Sequence, residues 1–185
     1  MIKVENISYQ QASLKIKNQI NELLQVVWPT TSDSDEHDSD LIEQCFYIMV
    51  DNRIVSYAAV VQLKVIINEK SYQIGGLSCV ATLPVFRRQG FSSKIVARAT
   101  KWMEDNLDFG VFTCAPDLRE FYQRAGNWKS MSNVVLVANN DKDALSSSNL
   151  DVIVMMRVFS KKAMDNFREI SNSTIYLGFS KGRFI

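Results

Sequence analysis

Histidine, paired cysteine and surplus charge are all scarce in this chain, and each scarcity excludes something. The one histidine among 185 residues, His37, sits in a run of serines and acids and reads as a solvated side chain rather than a catalytic one. The three cysteines, Cys45, Cys79 and Cys114, are odd in number, far apart and without CxxC spacing. That excludes a disulfide frame or a zinc site and points to reduced, buried thiols in a cytoplasmic protein. A formal charge of only +1 leaves no basic stripe with which to coat nucleic acid. No apolar run approaches the length of a membrane span, and Met1-Ile2-Lys3-Val4-Glu5 lacks a signal-peptide core, so no membrane partner is expected.

What is present suits one soluble globular domain. Hydrophobic residues make up 46% and charged residues 22%, and a chain of this length can bury a substantial core. No internal repeat, low-complexity linker or second domain interrupts it, so residues 1–185 read as one unit. Periodicity predicts a helix from about Gln10 to Val27, with Leu14, Ile20, Leu23, Leu24 and Val27 on its apolar side, ended by Trp28-Pro29. Residues 30–40 form an acidic loop. Strands follow at about Cys45–Val50, Ile54–Ile66 and Tyr72–Thr82, joined as antiparallel hairpins by Asp51-Asn52-Arg53 and Asn68-Glu69-Lys70. A helix to about Asn106 should bury Ile95, Val96, Ala99 and Met103. Then come a strand at Gly110–Cys114, a helix capped by Asp117, strands at Trp128–Val137 and Val152–Phe159, and a last helix, Lys161–Ile170, before an aromatic tail.

The most informative segment is Val80-Ala81-Thr82-Leu83-Pro84-Val85-Phe86-Arg87-Arg88-Gln89-Gly90-Phe91-Ser92-Ser93. It carries an apolar strand through a proline, two arginines, a glycine and two serines into a helix. Backbone N–H groups at a helix N-terminus lack intrahelical partners, and the helix dipole favours negative charge there. Arg87 and Arg88 add charge-assisted donors, and Gly90 lets a ligand approach the backbone. The junction is a natural cradle for a phosphate or pyrophosphate.

The pattern Arg87-x-x-Gly90-x-Ser92, behind Pro84, Phe86 and Arg87, resembles the acyl-CoA signature of the GNAT superfamily of N-acetyltransferases, with Ser92 in place of its last glycine or alanine. The resemblance spans about Gln10 to Phe159, leaving residues 160–185 as a C-terminal helix and tail. It implies an α/β (α+β) fold, a central mixed, mostly antiparallel twisted sheet of about six to seven strands with helices on both faces. It implies acetyl-CoA as acyl donor and co-substrate, without a metal. Val80, Ala81 and Thr82 would line the pantetheine, the Val80 N–H would face the thioester oxyanion, and Arg87, Arg88, Gln89, Gly90, Phe91, Ser92 and Ser93 would hold the phosphates. Phe121-Tyr122-x-x-x-Gly126 resembles the family's Tyr-x-x-x-Gly-(Phe/Trp) motif, which makes Tyr122 the candidate general acid. Asn127 stands between Gly126 and Trp128 where the family has no residue, and Ala115 stands where many relatives carry asparagine.

The implied reaction moves an acetyl group to the primary amine of a small molecule by direct attack in a ternary complex. An alkylamine has a pKa near 10, so about one molecule in a thousand is neutral at pH 7, and the departing thiolate needs a proton. Asp33, Asp35, Glu36, Asp38 and Asp40 are candidates to face a cationic acceptor, with a solvated charged loop as the alternative. They lack the glycine and terminal glutamate of a calcium loop. Gly76-Leu77-Ser78-Cys79-Val80-Ala81, Asp151-Val152-Ile153-Val154 and the tail look like aminoglycoside 2′-N-acetyltransferases. That likeness brings Ser78 and the carboxylate of Ile185 to the acceptor side, although Lys181 and Arg183 make the tail basic. A further alternative is an acyl-CoA-binding module without turnover. Homodimerisation through the late strands is common among such relatives, and no residue here decides it.

Overall fold

A computed structural model describes residues 2–29, 41–180 and 183–185. The acidic loop and the lone histidine fall outside the described residues. Among the described residues a seven-stranded, mostly antiparallel sheet runs in the spatial order β1 (Glu5–Ser8), β2 (Ile42–Val50), β3 (Arg53–Ile67), β4 (Lys70–Thr82), β5 (Phe109–Cys114), β8 (Ile153–Val158) and β6 (Lys129–Met131), and β7 (Val135–Val137) and β9 (Thr174–Tyr176) form a separate pair. The chain groups into two compact units, Met1–Gln62 with Leu77–Ala99, and Leu63–Gly76 with Thr100–Ile185.

In the first unit, β1 (Glu5–Ser8) pairs antiparallel with β2 (Ile42–Val50), which pairs antiparallel with β3 (Arg53–Ile67). Asp51 and Asn52 both have positive φ, 49° and 62°, the backbone of a two-residue turn whose twist matches its strands. Helix α1 (Leu14–Val27) starts where Ser13 Oγ accepts from Ile16 N at 3.4 Å, a side-chain cap on a free amide. It buries Ile20, Leu23 and Leu24, spaced to share one helix face. Leu14, expected on that face, is 78% exposed. The helix begins four residues later than periodicity suggested, after a 3-10 turn at Tyr9–Gln11, which leaves Leu14 on an outward first turn. Gln19 fastens the helix to the hairpin, accepting from Ile54 N at 2.9 Å and donating to Asn52 O at 3.0 Å.

Strand β4 (Lys70–Thr82) follows a second turn with positive φ, Asn68-Glu69. Its first half lies in the second unit, where Ile74 and Gly75 pair in parallel with Phe109 and Gly110 of β5 (Phe109–Cys114). β8 (Ile153–Val158) runs antiparallel to β5 and to the short β6 (Lys129–Met131). Trp128, 1% exposed, is the largest fully buried side chain. Its indole N–H donates to Thr100 Oγ1 at 3.0 Å, and it packs edge-on against Phe112 at 4.8 Å.

Several predicted elements are broken in this unit. Asp117 does not cap a helix: it lies in a 3-10 turn, Pro116–Leu118, and α3 (Arg119–Gly126) begins beyond it with no side-chain cap bond. The expected strand Trp128–Val137 is interrupted by a bend at Ser132-Asn133, giving β6 and β7 (Val135–Val137). The last helix divides at Asn166 into α4 (Lys161–Asp165) and α5 (Phe167–Ile170). β9 (Thr174–Tyr176) then pairs in parallel with β7. Helix α2 (Phe91–Asn106) matches its prediction, with Ile95, Val96, Ala99 and Met103 all 0% exposed.

Candidate functional site

In the first unit the end of β4 is pinned before the loop begins, because Leu83 N donates to Val55 O at 2.9 Å. Pro84–Phe86 makes one 3-10 turn, and Arg87 Nε reaches back to Thr82 O at 3.3 Å. Arg88 and Gly90 adopt left-handed backbone, with φ of 63° and 77°. No atom lies within 4 Å of where a Gly90 β-carbon would stand, so glycine is needed here for conformation and not for space. Arg87, Arg88, Gln89 and Gly90 are exposed, while Phe91 is buried and stacks on Phe86 at 6.2 Å. Arginines, a left-handed turn and the unpartnered amides of the first turn of α2 are thereby presented together, as an anion cradle requires.

A line of hydroxyls anchors this loop to the sheet. Ser56 Oγ donates to Ala81 O at 3.1 Å and lies 2.6 Å from Thr82 Oγ1, which lies 2.7 Å from Ser92 Oγ. Since the Ser56 proton is committed to a carbonyl, Thr82 donates to Ser56 and Ser92 donates to Thr82. Ser56 is 0% exposed and Thr82 6%. The Thr82 side chain therefore holds Ser92 and leaves its backbone for the pantetheine-lining place that the resemblance implies. The signal in the sequence is a serine and a threonine at buried strand positions.

Cys79, one residue before Val80, has a φ of 53° inside a strand, a left-handed kink of the kind found at functional sites. Ser78 Oγ lies 3.4 Å from Cys79 Sγ. Ser78, Cys79 and Val80 are half-buried, and Ala81 is buried. Cys45 Sγ lies 3.0 Å from Tyr57 Oη within the core. Burial pushes the Cys45 thiol up to about 12 and the Tyr57 hydroxyl well above its ordinary range. Burial, with the Asp117 charge second, likewise raises Cys114 to about 11. Both thiols stay protonated at neutral pH and are poor nucleophiles. All three cysteines are reduced thiols, none joined in a disulfide.

In the second unit Tyr122 stands on α3, 6% exposed, edge-on to Phe112 at 4.7 Å and Phe121 at 4.9 Å. Burial, with a smaller contribution from Cys114, raises its hydroxyl above the ordinary tyrosine range. Asn127, the extra residue of the motif, has a φ of 54° and its N–H donates to Gln123 O at 3.0 Å. It ends the helix in the left-handed conformation, a position usually given to glycine. Ile185, proposed for the acceptor side, has its carbonyl oxygen on Thr113, 3.1 Å from the amide and 2.5 Å from Oγ1. Asp33, Asp35, Glu36, Asp38 and Asp40 lie outside the described residues. Among the described residues no three His, Cys, Asp or Glu side chains gather as metal ligands, and no helix is long and apolar enough to cross a membrane.

The loop thus joins a kinked strand to a 16-residue helix in a mixed, mostly antiparallel sheet. Residues 8–131 match the family model of the acetyltransferase (GNAT) domain, and the chain belongs to that family. Solved structures agree on the fold. Escherichia coli ElaA is 13% identical with a TM-score of 0.61, over 85% of this chain and 99% of that one. The E. coli GNAT family N-acetyltransferase YhbS, solved in complex with CoA, is 11% identical with a TM-score of 0.62, over 96% and 91%. The ribosomal-protein-S18-alanine N-acetyltransferase of E. coli is 12% identical with a TM-score of 0.56, over 86% and 95%. No curated protein matches the sequence.

Proposed function

We propose that this acyltransferase moves an acetyl group from acetyl-CoA to the primary amine of a small molecule by direct attack. The observation that carries the proposal is the loop Pro84–Ser93, whose arginines, left-handed residues and free amides are held to β4 by the Ser56–Thr82–Ser92 hydroxyls. Its donors suit the pyrophosphate of CoA. The thioester carbonyl is assigned to the Val80 N–H, beside the Cys79 kink, which turns a strand amide out of the regular ladder. Cys45 and Cys114 hold their protons, so neither of these two thiols serves as an acyl-accepting nucleophile. Tyr122 is assigned to the leaving sulfur. Its raised hydroxyl remains protonated at neutral pH but is a weaker acid than a thiol, so its main contribution is a hydrogen bond to the developing sulfur charge.

The cytoplasm is the proposed site of action, the reducing compartment that thiols outside disulfides suit. An amino sugar, the acceptor of the 2′-N-acetyltransferases that parts of the sequence resemble, is one member of the amine class to test. Calorimetry with CoA tests the donor site. Wild type should bind, and the double variant Arg87→Ala/Arg88→Ala should bind at least tenfold more weakly, with an affinity less dependent on salt. Equal affinity in the two proteins would remove the loop from the site.

A further inference from the structure

In the second unit a cleft of about 380 Å³ lies between the β6–β8 edge of the sheet and the helices α4 and α5, lined by Lys129, Met131, Met156, Val158, Met164 and Phe167. Strand register explains the lining. Lys129 and Met131 pair with Met156 and Val154 of β8, and side chains of paired residues share a face of the sheet, as do residues two apart. Lys129, Met131, Met156 and Val158 therefore stand on one face. Met156 is 2% exposed, whereas Met164 and Phe167, which lie over the cleft from the helices, are 54% and 38% exposed. Five apolar side chains around one space exceed the scatter of an ordinary surface. The other lining residues are Asn127 and Arg157, so no carboxylate lines the cleft. Arg157 alternates to the opposite face from Met156. Its guanidinium donates to Gly126 O at 2.8 Å and lies 3.7 Å from Glu104, so its charge is answered there. Lys129 is exposed and has no ion-pair partner among the described residues. The cleft thus combines an apolar lining with one unanswered cation.

We propose that this cleft binds a straight-chain carboxylate of about eight to ten carbons, its carboxylate on Lys129 Nζ and its chain against the methionines and Phe167. Size sets the length. At ~30 Å³ for each non-hydrogen atom, the share of one water in the liquid, 380 Å³ has room for roughly twelve, enough for the chain and carboxylate of octanoate. Shape sets the chemistry of the body, because Met131, Met156 and Met164 are unbranched and adapt to a flexible aliphatic chain. Charge sets the head group. One unanswered cation and no acid in the lining attract an anion and repel an amine. The ligand is therefore of a different class from the amine acceptor of the proposed reaction, and none of the lining residues is assigned to CoA or to the leaving sulfur. The site stands independently of that reaction.

The test is calorimetry of the full chain with octanoate and with 1-octanol, which has the same chain without the charge. Wild type should bind octanoate with a Kd below about 1 mM and about fivefold more tightly than octanol, the size of one half-exposed charge contact. Lys129→Gln should erase that preference, weakening octanoate about fivefold and octanol less than about twofold. Met164→Ser should weaken both ligands about threefold or more, because it removes apolar contact and no charge. Both replaced side chains are exposed, so each variant should melt within about 2 °C of wild type. Wild type that binds neither ligand at about 1 mM, or both equally, overturns the proposal, as does a Lys129→Gln variant that keeps the preference. A dimer seen by sedimentation, split by Met164→Asp and unable to bind octanoate, would give the cleft to a second copy and overturn it as well.

Discussion

Replacing Thr82 with valine keeps the side-chain shape and deletes one hydroxyl, yet that hydroxyl is shared by two hydrogen bonds. It donates to Ser56 Oγ across 2.6 Å and accepts from Ser92 Oγ across 2.7 Å. Ser56 keeps its bond to Ala81 O, whereas Ser92 loses the contact that holds the first turn of α2 against β4. At about 1 kcal/mol for each hydrogen bond, unfolding should cost about 2 kcal/mol less. With an unfolding entropy of roughly 2.1 cal/mol/K per residue, that is a fall in Tm of about 5 °C. If half of the loss is felt at the loop, CoA affinity drops about fivefold, because 1.4 kcal/mol is a factor of about ten. Thr82→Ser keeps the hydroxyl and loses only a methyl group, so it should keep CoA affinity near wild type and cost about 0.8 kcal/mol of stability. Urea denaturation and CoA calorimetry on the three proteins decide the matter. A valine variant as stable and as tight-binding as the serine variant would refute the positioning role of the hydroxyl line.

Gly90→Ala should lower stability by about 1 kcal/mol, because a φ of 77° is strained for any side chain, and CoA affinity should fall with it; chemical denaturation and calorimetry report both. Tyr122→Phe should lower kcat about tenfold or more while leaving CoA affinity unchanged, and an unaltered kcat with a good acceptor would end its role as donor. Cys45 ties stability to pH. Its thiol titrates near 9 when unfolded and near 12 in the fold, so its contribution is intact below pH 9 and is lost as pH rises toward 12. The slope is about 1.4 kcal/mol per pH unit. Between pH 8 and 10.5, wild type should lose about 2 kcal/mol more than Cys45→Ala, as measured by urea denaturation at each pH.

The hairpins were legible because Asp51-Asn52 and Asn68-Glu69 are residues that tolerate the positive φ their turns adopt, and α2 because its four apolar positions keep helical spacing. The loop was legible as local chemistry. Breaks made by one or two polar residues were not: Asn166 divides one predicted helix, and Ser132-Asn133 one predicted strand. β1 is four residues long and too short to carry a period. At the site, what escaped was whatever depends on distant residues meeting. Ser56 and Thr82 are 26 positions apart, and Ile185 meets Thr113 across 72. The extra residue Asn127 departs from the motif, and its left-handed backbone ends α3 ahead of the buried Trp128, which its spacing alone does not reveal.

We propose that the acyl-CoA held on the Pro84–Ser93 loop is turned over and not merely bound. The most direct measurement is thiol release from acetyl-CoA by the wild-type chain against a panel of primary amines, with product masses recorded. Amine-dependent release, matched by a mass gain of one acetyl group on the amine and lost with Arg87→Ala/Arg88→Ala, is the predicted result. Tight acetyl-CoA binding with no amine acetylated would contradict the account and leave an acyl-CoA-binding module.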